Sequence, residues 1–328
     1  MNENEEIVIN MNASLLIETL ENRWKTYRSE LKRCQKGASE EAIHDLRVAT
    51  RRLLALVDTL RAISPHPRLQ KLRRTFKNQL DSLNDLRDTQ VMLMGVSDTL
   101  NTIPELALFQ EYLTKRETRL LKSTAKGIRS FQITNVRKRL DSTRKALLKM
   151  ENENQQQKAL LQIVDDAYET TLRRFRRIEP TRPATIHRTR VAFKKFRYMV
   201  EIVYPLVPNF PEANFKNMHD YQDMMGAIQD LEVLLSTFDD FSEKDSSYDP
   251  EPVRRYYQQR HIEAVNTYLE DMYQINIFWR PGPESPFFWE TGRLLDDTGS
   301  SKAPAEPLPE QYMDGNGKQA ETEKEAEK

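Results

Sequence analysis

The chain carries one cysteine, Cys34, in 328 residues. A single thiol cannot close an internal disulfide, and the opening MNENEEIVIN lacks the basic and apolar blocks of a secretory signal, so a reducing cytoplasm is the expected setting. Glycine is scarce at 9 residues, which suits long solvated helices better than a glycine-turned sheet protein. No apolar run approaches the ~18 residues needed to span a bilayer, so no membrane partner is expected. There is also no carboxylate cluster, glycine-rich phosphate loop or H-E-x-x-H pattern. The expectation is a protein that is not an enzyme, with no catalytic residues, no metal and no cofactor. Net charge is zero as well, from 50 Lys+Arg against 50 Asp+Glu, but the zero sums two unlike parts. Residues 1–237 hold 40 cationic and 30 anionic side chains (+10), and residues 238–328 hold 10 and 20 (−10). The first part can attract a polyanion, and the second can compete for that surface.

What is present is helical periodicity. Leu16, Leu20, Trp24, Tyr27 and Leu31 recur at spacings of three and four and predict a helix over about 13–36. A second is predicted over about 39–63, stopping before Ser64-Pro65-His66-Pro67. A third starts near Arg68 and a fourth near Asp85, running to about Leu100. Others are expected over about 104–129 and 134–149, with Gly127 and Ile133 marking the break, and over 155–177. Two prolines in Glu179-Pro180-Thr181-Arg182-Pro183 set a boundary, after which a helix runs from about Ala184 to Tyr204. A last one spans about 252–273. Residues 276–298, rich in aromatics and prolines, read as a strap docked on the helices, and 299–328 as a disordered acidic tail.

The strongest signal is an internal repeat. HDLRVATRRL from His44 matches HRTRVAFKKF from His187, an offset of 187 − 44 = 143. Further on, LNDLRDTQVML matches MGAIQDLEVLL through Asp88 and Asp230, an offset of 230 − 88 = 142. Two motifs in one order at almost the same spacing imply two equivalent halves, about 12–149 and 155–275. On a helix, His44, Arg47 and Arg51 share a stripe, as do His187, Arg190, Lys194 and Arg197. At the 142 offset, Arg74 and Lys77 align with Lys216 and His219, again three residues apart. A single basic stripe is most often a solvated face, but repetition favours a shared role. Arginine offers forked donors to phosphate oxygens, lysine a mobile charge, and neutral histidine a donor that a polyanion can protonate. Stripes meeting across a pseudo-twofold axis would form a groove with many cations and few acids, suited to a linear polyanion. Asp88 and Asp230 read as helix caps or arginine partners and stay outside the site.

These motifs resemble the CHAD domain, the conserved histidine α-helical domain. HDLRVATRR resembles its first signature, HRTRVAFKKFRYMVE its second, and LNDLRD and MMGAIQD its later elements, with Asn84 where the family often has glycine. The resemblance covers about residues 12–275. It implies an all-α fold of two pseudo-symmetric four-helix bundles around a central basic groove or pore, binding of inorganic polyphosphate, and in some members association with polyphosphate granules and the proteins on them. Carried over by position, His44, Arg47, Arg51, Arg52, His187, Arg190, Lys194, Lys195 and Arg197 would face or support the polyanion; Arg74, Lys77, Lys216 and His219 rest more on the helix-face argument. No E-x-E-x-K motif in a strand-like context accompanies them, so triphosphatase activity is not expected. The alternative is a nucleic-acid-binding or regulatory helical adaptor. Against nucleic acid, the motifs carry few aromatics for stacking bases, and Phe193, Phe196 and Tyr198 read as core.

Overall fold

The computed structural model describes residues 11–149, 153–207, 209–244, 249–280 and 285–287. These residues form nine α-helices and no strand: α1 (Met11–Lys36), α2 (Glu40–Ile63), α3 (Pro67–Thr99), α4 (Ala107–Ser130), α5 (Ile133–Leu147), α6 (Glu153–Phe175), α7 (Pro183–Val203), α8 (Ala213–Ser242) and α9 (Glu251–Asp271). Helix starts follow local chemistry. Ser39 caps α2 by accepting from the Ala42 N–H, and Glu40 and Glu41 in the first turn suit the positive end of the dipole. Pro67 and Pro183 open α3 and α7, where a missing N–H costs nothing.

Two expectations are corrected. The third and fourth helices are one, the 33-residue α3, about 50 Å long at 1.5 Å per residue. No proline or glycine interrupts residues 68–94, and the Asn84 side chain receives Arg47 instead of competing for the helix backbone. Likewise α4 runs through Gly127, and the break comes at Phe131 and Gln132, whose extended backbones separate α4 from α5.

The chain divides into two compact units, residues 1–164 with 227–266 and residues 165–226 with 267–328. In the first, α2 packs between α1 and α3, and α3 also touches α4 and α5. Its interior includes Leu46, Leu53, Leu56, Leu72, Phe76 and Leu83. A second cluster joins Met92 and Val96 of α3 to Phe109, Leu113, Leu234, Phe238, Val253 and Tyr257. The other unit is filled by aromatics: Tyr168 lies 5.0 Å from Phe196, and Phe193 lies 5.1 Å from Tyr221 and 5.5 Å from Phe278. Trp279 is fully buried there, its indole N–H donating to Asp165 at 2.6 Å, and the Tyr168 hydroxyl donates to the Ile275 carbonyl at 2.9 Å. Phe278 and Trp279 belong to the expected strap; 281–284 and 288–298 lie outside the described residues, as does the expected disordered tail.

Candidate functional site

In the first unit the site candidates come from α2 and α3, which pack together. Apolar residues such as Leu46, Leu53 and Leu56 bury one side of α2 and hold the His44, Arg47 and Arg51 stripe half-buried at its edge. Arg47 donates through Nε to the Asn84 side-chain oxygen at 3.0 Å, which fixes the guanidinium against α3. Burial pushes the His44 imidazole below its ordinary value; Arg87, Arg51 and Arg47 push it further down, and Asp45 opposes them. Burial and three arginine charges thus act together to disfavour the protonated ring. Arg51 Nη2 is buried with no hydrogen-bond partner among the described residues. Arg52 is half-buried, its carbonyl accepting from Arg23 at 2.7 Å. Arg74 and Lys77 are exposed, and Lys77 pairs with Asp81 at 2.7 Å.

In the second unit the site candidates come from α7 and α8. Arg190 lies against Gly226, where an added Cβ would stand 3.6 Å from its Nη2 and 3.8 Å from its Nε. Gly226 is the repeat counterpart of Asn84 (226 − 84 = 142), so the equivalent arginines meet equivalent helix positions. His187 and Lys195 are exposed and Lys194 is half-buried. Lys216 pairs with Asp220 at 2.6 Å, and His219 Nδ1 stands 3.3 Å from Asp223. Burial pushes the Asp223 carboxyl up, against the pull of His219, Arg197 and Arg190.

The family model described as CHAD domain matches residues 18–239. The chain belongs to the CHAD domain family. It is similar in structure to the crystal structure of the CHAD domain from the plant Ricinus communis, with a TM-score of 0.61 at 18% identity, covering 79% of this chain and 91% of that one. No curated protein matches it.

Within this CHAD domain the geometry alters two expectations and adds one residue. Arg197 does not face solvent: it is 2% exposed, 3.9 Å from the 5% exposed Glu201 side chain, and stacked 5.3 Å from the centre of the Tyr198 ring. At about 100° per residue, Arg190, Lys194 and Arg197 lie about 60°, 20° and 80° round from His187, so Arg197 is at the edge of the stripe, beyond the half-buried Arg190, and is drawn inward. The expected scarcity of acids also fails on α3 and α8, where Lys77, Lys216 and His219 each have a carboxylate four residues on. Finally, Arg87 belongs with the first cluster although the sequence reading passed over it. Its side chain is 11% exposed, it donates to Glu40 at 3.2 Å, and it acts on His44. Its repeat counterpart is Gln229 (229 − 87 = 142), so comparison of the halves hides it.

Among the described residues, no group of three or more His, Cys, Asp or Glu side chains could hold a metal ion. The Cys34 thiol donates to the Ala42 carbonyl at 2.8 Å, and burial pushes it up to about 11, which leaves little thiolate at neutral pH. No described helix is long and apolar enough to cross a membrane.

Proposed function

We propose that this CHAD domain binds inorganic polyphosphate without transforming it, through the α2 and α7 basic clusters, and serves as an adaptor that places other proteins on polyphosphate granules in the cytoplasm. The observation that carries this reading is the buried Arg51 Nη2, which has no acceptor among the described residues, on the same stripe as His44 and an Arg47 held against Asn84. Arg47, Arg51 and Arg87 all disfavour a positive charge at His44, and phosphate oxygens would offset that positive field while filling the empty Arg51 donor. The pseudo-symmetric bundles and basic pore implied by the family are part of the same proposal.

Nucleic acid shares the phosphate chemistry, so it is the competitor to test. The aromatics of the repeated motifs do not favour it: Phe193, Phe196 and Tyr198 are all buried and unable to stack on bases. The test is competition binding of long-chain polyphosphate against single-stranded RNA and DNA at near-physiological salt, for the wild type and an Arg47→Ala/Arg190→Ala variant. Tight polyphosphate binding that nucleic acid does not displace, and that a folded variant loses, supports the reading. Equal competition, or a variant that binds like the wild type, refutes it.

A further inference from the structure

The second unit carries a cationic surface that lies outside the repeated stripes. Between Arg173 and Arg188 the chain holds six arginines, at 173, 174, 176, 177, 182 and 188, against one acid, Glu179, a balance of 6 − 1 = +5. All six are exposed. Glu179 is taken by Arg182 at 3.2 Å, and Arg173 donates to the Thr170 hydroxyl at 2.8 Å. Arg174, Arg176, Arg177 and Arg188 have no carboxylate partner among the described residues.

This corner is held in a defined shape. The buried Thr185 hydroxyl accepts from the Glu179 N–H at 3.0 Å and donates to the Arg182 carbonyl at 2.7 Å, clasping the turn between α6 and α7. On the other side Phe175 is buried, edge-on to Tyr273 at 5.7 Å. The arginines are thus presented on a braced turn, which lowers the ordering entropy lost when a ligand binds.

Helix electrostatics accounts for only part of the cluster. Arg173 and Arg174 in the last turn of α6 suit its negative end. Arg176 and Arg177 lie beyond that helix, and Arg182 is the N-cap of α7, whose first turn has no acid, where the dipole opposes a cation. Nor does the repeat require it. Residues 30–45, the counterpart at offset 143, hold Lys32, Arg33 and Lys36 against Glu30, Glu40, Glu41 and Asp45, a balance of 3 − 4 = −1.

We propose that the α6–α7 corner is an outer phosphate-binding site that takes the part of a long linear polyphosphate running beyond the α7 cluster, so that the protein discriminates polymers by length. This rests on the polyphosphate reading above. The corner leads into His187 along α7, and Arg188, Val191 and Lys195 continue it as an exposed face of that helix, so one chain of phosphates can follow both.

The test measures binding of tripolyphosphate and of long-chain polyphosphate over a salt series. It compares the wild type with Arg174→Gln/Arg176→Gln/Arg177→Gln/Arg188→Gln, and with Arg176→Glu/Arg177→Glu as a smaller second variant, each checked for an unchanged helical spectrum. The proposal expects long-chain affinity to fall by about tenfold or more and the salt slope to shrink by about 0.7 for each lost phosphate contact. Tripolyphosphate affinity stays unchanged. Unaltered long-chain affinity and slope, or an equal loss for both probes, overturns the outer site while leaving the polyphosphate reading standing. A wild type that binds neither probe overturns both.

Discussion

Replacing Arg197 should unfold the protein more readily without weakening polyanion binding by the molecules that remain folded. Arg197 and Glu201 are both nearly closed to solvent and 3.9 Å apart. At an effective dielectric near 20, two unit charges at that distance attract by about 4 kcal/mol. Removing one member of such a buried pair strands the other, at a cost of about 3–5 kcal/mol. Asp223, which Arg197 also helps to hold ionised, loses support in the same step. For a domain the size of the matched region 18–239 the melting midpoint moves roughly 2–4 °C per kcal/mol, so Arg197→Ala should melt about 6–20 °C lower. Arg197→Leu/Glu201→Leu, which installs at 197 the residue type its counterpart Leu54 already has, should recover most of that loss, because apolar replacement of a buried ion pair is often neutral or stabilising. Thermal melts followed by circular dichroism measure both variants, and polyphosphate titration below the transition measures the site. An unchanged midpoint for Arg197→Ala, or loss of affinity in the fully folded variant, would refute the burial argument and return Arg197 to the binding surface.

Two further outcomes follow from the buried polar groups. His44 sits below its unfolded value near 6.5, so the unfolded chain takes up a proton first; stability should be full near pH 7.5 and decline as the pH falls through about 6.5 toward the folded value. His44→Gln should flatten part of that decline in pH-dependent melts, with the remainder due to His261, which burial also depresses; a decline identical to wild type would contradict the assignment. Trp279→Phe keeps most of the apolar contact but removes the donor to Asp165, a charge-assisted bond worth about 1.5–3 kcal/mol. Denaturant unfolding should show a loss of that size, and a neutral result would mean that the strap does not brace its unit through this contact.

Much of the helical layout was legible because its punctuation is chemical. Ser39 before Glu40 and Glu41, proline at 65, 67, 180 and 183, and spacings of three and four locate helix ends within a few residues. The errors arose where a local signal was overruled, by a tertiary contact in one case and by the weakness of the signal in the other. Asn84 and Asp85 read as a break, yet the Asn84 side chain is engaged across to Arg47 and the backbone ladder continues. Gly127 read as a break, yet a glycine within a helix costs only about 1 kcal/mol, which does not end it.

The repeat located the first arginines of both clusters, and it also held the information that would have corrected the rest. Arg47 and Arg190 are basic in both halves and meet the equivalent positions Asn84 and Gly226. Arg197 is not duplicated, since its counterpart is Leu54 (197 − 54 = 143), an apolar residue type suited to the interior where Arg197 lies. One turn on, Asp58 corresponds to Glu201 (201 − 58 = 143), and their surroundings have diverged together. Asp58 pairs with Arg61 at 2.9 Å and Arg73 at 2.8 Å, whereas the counterparts of those arginines, Tyr204 (204 − 61 = 143) and Phe215 (215 − 73 = 142), pack edge-to-face at 5.1 Å. With rings at both positions where Asp58 has cations, the Glu201 carboxylate takes its charge partner from within its own helix, and Arg197 supplies it. Arg197 thus does for Glu201 what Arg61 and Arg73 do for Asp58, and that partner lies in the interior, which is why Arg197 follows the basic stripe in sequence but leaves it in space.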